Sequence, residues 1–568
     1  MSKTPKTRRH RRLLLATSAL IFGLAAWPAG AELDPAELEA LRIRAVELAN
    51  SNQCAEALPL IEAVAASSHQ AIDWMVAAEC AVRDGQPERA ADAYWQAVTY
   101  RDQLPEAQAL NALRGLGYQA EAAGQATRSL IGWEAASRLS SLASDRLMAA
   151  RAARMDNRPG QAMARLNAID PGELHGPSLA LFYEEKARSM ADAQPDAAAA
   201  YYERAVAVED APYRQYELGL LYDRLDRPVE ARRAFDAALA GDPDNVTIVL
   251  SAAYAARRGG QDARAAELFR RALRLDPSRN EVREDLGYAL IAAGDRQGAA
   301  GAFRAALDNG VAGEGEEAEL HRYRLRREIE QLERSTYGYA FAGYRSEAAI
   351  PNPLQQGASE TQVGAEAGWR PDALRDVGGG VTIYGRGYVS TQPGDFDLNE
   401  DTLQFGAGAR WRPFRDHDFN LSAERLIAGG DLARDAWLLR ASYGWTDGYD
   451  WNPVRDNWNY TALYADVSYI PDDPQFLSAY ASVRQGRRFR VADRWAVTPY
   501  VVAVAQTTDD SFTTRERFEA GPGVSLSYWF DEDRYTAPRQ RVDFELEYRE
   551  SLAGDGDDAV IGRVVWSF

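Results

Sequence analysis

The chain has 568 residues, 46% hydrophobic and 26% charged, with Lys+Arg 65 against Asp+Glu 84 and a formal charge of -19. That length exceeds what one ordinary core organises, so two or more domains are expected. The acidic balance excludes a nucleic-acid binder, which needs a basic footprint to displace counterions from phosphate.

Residues 1–31 follow their own rule. A basic head (Lys3, Lys6, Arg8, Arg9, Arg11, Arg12) precedes an apolar run over 13–27, and Ala29, Gly30 and Ala31 supply the small residues of a cleavage site. This predicts a secretory signal peptide removed before Glu32. The alternative, an uncleaved anchor, needs roughly 20 apolar residues, more than the run offers. Two cysteines follow, Cys54 and Cys80, on neighbouring predicted helices. They are read as either one disulfide closing a loop of moderate length or two buried reduced thiols.

Residues 32–334 predict a helical solenoid. Between 211 and 310, Ala231, Ala265 and Ala299 recur every 34 residues, as do Phe235, Phe269 and Phe303, then Ala238, Ala272 and Ala306. The pairs Leu218-Gly219, Ala252-Ala253 and Leu286-Gly287 hold one equivalent position, small enough for two antiparallel helices to approach. The pattern is similar to the tetratricopeptide repeat. Weaker copies precede it around Trp74 to Ala97 and Leu113 to Ala136, so about seven or eight repeats are expected in a superhelix. A last helix over 318–332, with Leu325, Ile329 and Leu332 on one face, would cap the stack. The first helix of each unit lines the concave wall in such repeats. That places Tyr213, Tyr216, Arg224, Tyr254, Arg257, Arg258 and Tyr288 on the inner surface, either as a groove for an anionic polymer or partner protein or as ordinary solvated surface.

From residue 335 the alternation changes to period 2, rich in glycine and aromatics. About twelve segments of roughly ten residues fit an antiparallel transmembrane β-barrel over 335–568. They lie near 335–345, 361–370, 380–390, 401–412, 418–427, 435–445, 460–470, 475–486, 496–507, 518–530, 540–551 and 559–568. The fold class is therefore an α-helical repeat solenoid followed by a β-barrel; a soluble β-sandwich is the alternative for the second part.

The charges decide which face is inside. Arg386, Arg410, Arg440, Arg484, Arg549 and Arg563 share the polar side of their strands with Glu424, Asp466, Asp543, Glu545 and Glu547. On the lipid side each arginine would cost about 2 to 4 kcal/mol near the midplane, so all are expected in the lumen. There they form a salt-bridged plug or line a narrow aqueous passage. Arg425 departs from simple alternation, which predicts a bulge or early end in the fifth strand. Tyr388, Trp411, Trp445, Tyr469, Tyr528 and Trp529 are expected in an interfacial girdle. Repeats in the periplasm would turn connections 346–360, 391–400 and 508–517 outward. The long stretch 446–460 then falls on the periplasmic side, where turns are usually short, so either the strand count is off there or the segment folds onto the repeats.

In the final segment Phe568, Trp566, Val564 and Val560 share the lipid face, and Ser567, Val565, Arg563 and Ile561 the inner one. Trp566 and Phe568 resemble the carboxyl-terminal signal read by the barrel-assembly machinery. The five histidines, His10, His69, His175, His321 and His417, are scattered, and no metal, nucleotide or hydrolase motif is present. No enzyme activity and no cofactor are expected.

The stretches AERLIAGGDLARDAWLLRASYGW (423–445), GYDWNPVRDNWNYTALYADVSY (448–469) and GPGVSLSYWFDEDRYTAPRQRVDFELEYR (521–549) resemble the C-terminal domain of the coliphage N-four adsorption protein A family. The resemblance implies an outer-membrane protein of a Gram-negative bacterium with periplasmic repeats. It also implies an inner-membrane glycosyltransferase as partner in surface polysaccharide synthesis and export, and a surface that phage can use. Two functions follow as expectations: a conduit, with repeats binding the synthase complex or polymer, or a plugged anchor acting as scaffold and phage receptor. Outer-membrane lipid and the barrel-assembly machinery are the remaining partners implied.

Overall fold

A computed structural model of the chain describes residues 34–311, 313–347, 362–390, 397–472 and 474–568. The expected signal peptide, 1–31, lies outside the described residues. Contacts divide the chain into two compact units, Met1–Gly259 and Gly260–Phe568. The helix-to-strand change falls later, between Glu333 and Thr336.

The first unit holds thirteen helices among the described residues: α1 (Pro35–Asn50), α2 (Cys54–Ser68), α3 (Ala71–Arg83), α4 (Pro87–Thr99), α5 (Glu106–Ala122), α6 (Ala126–Leu139), α7 (Ala143–Met155), α8 (Pro159–Asn167), α9 (Pro177–Met190), α10 (Pro195–Val208), α11 (Pro212–Arg224), α12 (Pro228–Gly241) and α13 (Val246–Arg258). Proline opens many of them, where its missing N–H costs nothing and its fixed φ suits the first turn. Asp34 caps α1 through a capping box with Glu37. Small residues set the packing: a side chain on Gly219 would meet the Phe235 ring at 2.8 Å, so glycine lets α11 and α12 close around that ring. Phe235 is 1% exposed, and Trp133 fills the equivalent role between α5 and α6.

The second unit begins with α14 (Asp262–Leu275), α15 (Asn280–Ala292), α16 (Arg296–Asp308) and α17 (Gly315–Glu333). Leu325, Ile329 and Leu332 are the buried face of α17, as their spacing predicts. Twelve antiparallel strands follow and close into a barrel: β1 (Thr336–Arg345), β2 (Gln362–Trp369), β3 (Val381–Ser390), β4 (Gln404–Trp411), β5 (Asp418–Ala428), β6 (Ala436–Asp447), β7 (Asn457–Ile470), β8 (Phe476–Ala492), β9 (Trp495–Asp509), β10 (Thr514–Phe530), β11 (Gln540–Gly554) and β12 (Ala559–Ser567). Each strand pairs with its sequence neighbours, and β12 returns to β1. That seam is finished by Phe568, whose N–H and C=O exchange hydrogen bonds of 2.8 and 2.7 Å with Gly338. Its ring lies where a side chain at 338 would stand.

Alternation sorts the faces. Val560, Val564, Trp566 and Phe568 are exposed on the outer wall, whereas Ile561 and Arg563 are buried inside. Trp369, Trp411, Trp445, Tyr528 and Trp566 ring the outer wall at the end where α17 enters, here the helical end. Phe405, Trp437, Tyr469, Phe518 and Tyr548 ring the far end. Two girdles flanking an apolar band are what a bilayer selects.

Four expectations need correction. Tyr388 and Trp529 are not girdle residues: both face inward, 5% and 4% exposed. β5 runs without a bulge and Arg425 keeps its alternation on the outer wall, opposite Ala407 and Trp437. The irregularities fall instead at Phe518/Glu519 and at Arg490/Ala492. Finally, 508–517 is no broad loop, because β9 and β10 continue pairing from Thr514↔Asp509 inward.

Candidate functional site: the charged barrel lumen

The inward side chains build the site. On the far half, Glu519 accepts from Arg345 at 2.6 Å and meets Arg517 at 3.3 Å and Arg549 at 3.4 Å. Glu547 extends this group, taking Arg549 at 2.6 Å, Arg563 at 2.8 Å, Arg484 at 3.1 Å and the Tyr500 hydroxyl at 2.7 Å. Arg345, Arg517, Glu519, Glu547 and Arg549 are each 3% exposed or less. Carboxylates and guanidiniums removed from water this completely hold only when each charge finds several partners. The result is an ion-paired layer across that half of the lumen. Beside it Leu426, Leu438, Ile470 and Phe476 form an apolar cluster, and Gln404 binds the 429–435 connection through Arg434 N and Arg434 O.

A second network lies across the barrel. Glu424 accepts from Arg386 at 2.7 Å and from Tyr384 at 2.8 Å. Glu366 accepts from Tyr337 at 2.7 Å and Arg410 at 3.0 Å. Glycines make room: a side chain at Gly406 would run into the Glu424 carboxylate. Arg440 donates to Ser468 at 2.9 Å and stands 3.7 Å from Asp466. All eleven sequence-expected lumen residues thus face inward. Asp543 pairs with Arg541 at 2.7 Å, and Glu545 with Arg563 at 2.9 Å.

The helical-end half is different. There a cavity of about 940 Å³ is lined by Tyr337, Tyr460, Tyr464, Tyr480, Arg484, Arg488 and Arg541, and reaches the mouth at Arg370 and Arg415. The 448–456 connection turns into this end. The Tyr449 ring sits 3.5 Å from the Arg541 guanidinium, and its carbonyl accepts from Arg488 at 2.6 Å and Arg541 at 3.2 Å. Behind it Trp451, Trp458 and Trp529 cluster against Tyr323 of α17. Arg327 of α17 pairs with Asp450 at 2.7 Å, and Arg326 donates to the carbonyl of Thr536 at 3.1 and 2.8 Å. A second cavity of about 620 Å³ lies under α17 on the other side of Tyr449.

Sequence reasoning missed Arg345, Glu366, Arg488, Arg517, Glu519 and Arg541. Arg488 and Arg541 share the every-second-residue parity of Arg484 and Asp543, and that parity is enough to find them. Tyr449 lies in a connection, where no periodicity operates.

In the repeats, the expected concave residues are mostly engaged with their own scaffold. Tyr213 donates to Glu184 at 2.9 Å, Arg224 meets Asp192 at 3.0 Å, and Arg258 bonds Asp223. Tyr216 lies 3.4 Å from Ser251, Tyr254 is half-buried and Arg257 exposed. Tyr288, in the second unit, stands edge-on to Phe303. A buried polar node was not foreseen: Glu184 binds Arg214 at 2.9 Å and Arg188 at 3.1 Å, and Arg188 donates to Tyr202 at 3.3 Å. Burial pushes the Tyr202 phenol up to about 12, against the pull of Arg188. Cys54 and Cys80 are free and buried, so the reduced-thiol alternative describes this structure. Burial and the Cys54 thiol push Cys80 up to about 12. Among the described residues no group of three His, Cys, Asp or Glu side chains is placed to hold a metal.

Residues 395–562 match the family model for the bacteriophage N adsorption protein A C-terminal region. The match begins before β4 and ends within β12, so it covers those nine strands of the barrel and not β1 to β3. Tetratricopeptide-repeat models match 189–246, 216–280 and 250–315. Bacteriophage adsorption protein A of Escherichia coli (strain K12) is 26% identical over 181 residues, 30% of this chain. The chain spans 18% of that relative's length. Solved structures similar to the helices include the C-terminal part of a repeat-containing protein from Cytophaga hutchinsonii (16% identity, 49% of this chain, 98% of that chain, TM-score 0.31). MamA from Desulfovibrio magneticus RS-1 is another (16% identity, 30% and 96%, TM-score 0.27). The adsorption-protein domain, the repeats and the closed barrel fit an outer-membrane protein.

Proposed function

We propose that this chain is an outer-membrane component of surface polysaccharide synthesis and export. In this reading the helical end faces the periplasm, the repeats bind a membrane glycosyltransferase complex or the growing polymer, and the barrel receives the polymer from below. The observation that carries it is the two-part lumen: a tyrosine- and arginine-lined cavity at the helical end, facing a layer of ion pairs. Aromatic faces and arginine forks suit sugar rings and their oxygen substituents. Clean deletion of the gene is expected to remove polymer from the cell surface and leave it in the periplasm. Normal surface polymer in the deletion strain sinks the reading.

The ion-paired far half favours a second reading, in which the barrel is a plugged anchor, the repeats recruit periplasmic partners and the far-end connections serve phage attachment. It predicts that deletion abolishes adsorption of a phage specific for the strain while surface polymer is unchanged.

A further inference from the structure

We infer that the helical-end cavity is a binding site for a saccharide carrying anionic groups, with Arg488 as the cation that meets its charge; this deepens, and rests on, the polysaccharide reading above. The chain as a whole is acidic, at -19. Yet the lumen wall formed by β8 to β12 and β1 is not. Arg345, Arg484, Arg488, Arg517, Arg541, Arg549 and Arg563 line it against only Glu519, Asp543, Glu545 and Glu547, so arginines outnumber carboxylates. All four carboxylates already hold at least one arginine. An excess of positive charge between low-dielectric walls is screened far less than one on an open surface, and it concentrates anions.

Arg488 localises that excess. It is 2% exposed, and its contacts are all neutral: the Thr498 hydroxyl at 3.0 Å, the Tyr449 carbonyl at 2.6 Å, and the rings of Tyr460 and Trp529 at 4.7 and 5.1 Å. No carboxylate pairs with it among the described residues. A guanidinium whose direct contacts are only dipoles and ring faces, with Arg541 and Asp543 both near enough to act on it, is a costly arrangement unless an anion completes it. The cavity beside it is at the upper end of the size that holds drug-sized ligands, which leaves room for a short run of sugar rings. Tyr460, Tyr464, Tyr480, Ser482 and Ser525 line the same space, residue types suited to neutral sugar oxygens. Arg484 and Arg563, which reach both Glu545 and Glu547, belong to the ion-paired layer and also line the cavity. Anionic groups entering from the helical end would compete with those glutamates for the same guanidiniums and so loosen the layer above.

The test uses the full-length protein in detergent micelles, with tryptophan fluorescence and calorimetry as readouts. Three probes are titrated: an oligogalacturonate, a neutral malto-oligosaccharide of equal length, and inorganic phosphate. The uronate oligomer is expected to bind saturably and to weaken with added salt, with the neutral oligomer and phosphate at least about tenfold weaker. Arg488→Gln is expected to weaken uronate binding about tenfold, the loss of one charge-assisted hydrogen bond. Arg425→Gln, on the outer wall, is expected to change nothing. Equal binding of the neutral oligomer, equal binding of phosphate, or no oligomer binding overturns the inference. The wild-type comparison decides it even where Arg488→Gln fails to insert. Preference for the neutral oligomer together with lost surface polymer in the deletion strain removes only the charge inference, whereas normal surface polymer removes the reading beneath it.

Discussion

The repeats and the barrel are built from one chain on opposite plans. In the helices the buried residues are overwhelmingly alanine, leucine and phenylalanine, and charges lie outside except at a few paired nodes such as Glu184 and Arg214. On the barrel's outer wall large apolar residues are exposed, while most of the inward arginines and glutamates are buried. The difference teaches that exposure has no fixed meaning for stability: what counts is whether water or hydrocarbon lies beyond the residue, and whether a buried charge has partners.

The largest expected effect is at Glu547, where Arg484, Arg549 and Arg563 converge. Glu547→Gln leaves buried arginines without their shared carboxylate and is expected to cost about 3–5 kcal/mol. It should appear as loss of heat-modifiable gel migration at a lower temperature; unchanged migration would mean the lumen is wet. A sharper form of the comparison sets two exposed valines side by side, Val564 at 39% on β12 and Val229 at 48% on α12. Val564→Arg is expected to cost about 2–4 kcal/mol of barrel stability, and Val229→Arg less than about 0.5 kcal/mol in the helical melting transition. Equal costs would remove the bilayer from the account.

The next effect is one of pH and belongs to the helices. Tyr202 and Cys80 both hold their protons more tightly when folded, at about 12 for each. A group raised on folding stabilises fully below its unfolded value and loses that contribution as pH climbs through the folded one. The melting temperature followed by helical circular dichroism should therefore hold to about pH 9 and fall progressively toward pH 12. A melting temperature flat to pH 12 would contradict the burial of these groups. Smallest is Arg224→Ala, which breaks an exposed pair with Asp192 and is expected to shift the helical transition by less than about 1 kcal/mol.

Much of this was legible in the sequence, and the reason differs by region. The twelve strands show because period 2 is enforced by a bilayer on one side and charges on the other, so even Arg563 reads correctly. Their ends show less well. β8 continues to Ala492 although Gln485 and Arg487 already face outward, because hairpin pairing outlasts the apolar band. Tyr388 and Trp529 misled because an aromatic near a strand end reads as girdle unless its parity is checked; theirs is inward, beside Arg386 and Arg488. The placement of Tyr449 was invisible, since its position depends on Arg488 and Arg541 from strands far away in sequence. In the helices the 34-residue repeat exposes the packing through Phe235 and Gly219, but not the node at Glu184, which joins helices through charges that no repeat frame requires.

Ion pairs fill the far half of the lumen and a cavity occupies the helical end, so conductance of the full-length protein in a planar bilayer is the decisive measurement. The wild type is expected to show no steady conductance, and Glu519→Gln, which releases Arg345, Arg517 and Arg549, transient openings. A large, steady conductance from the wild-type protein would mean that the ion pairs do not close the lumen.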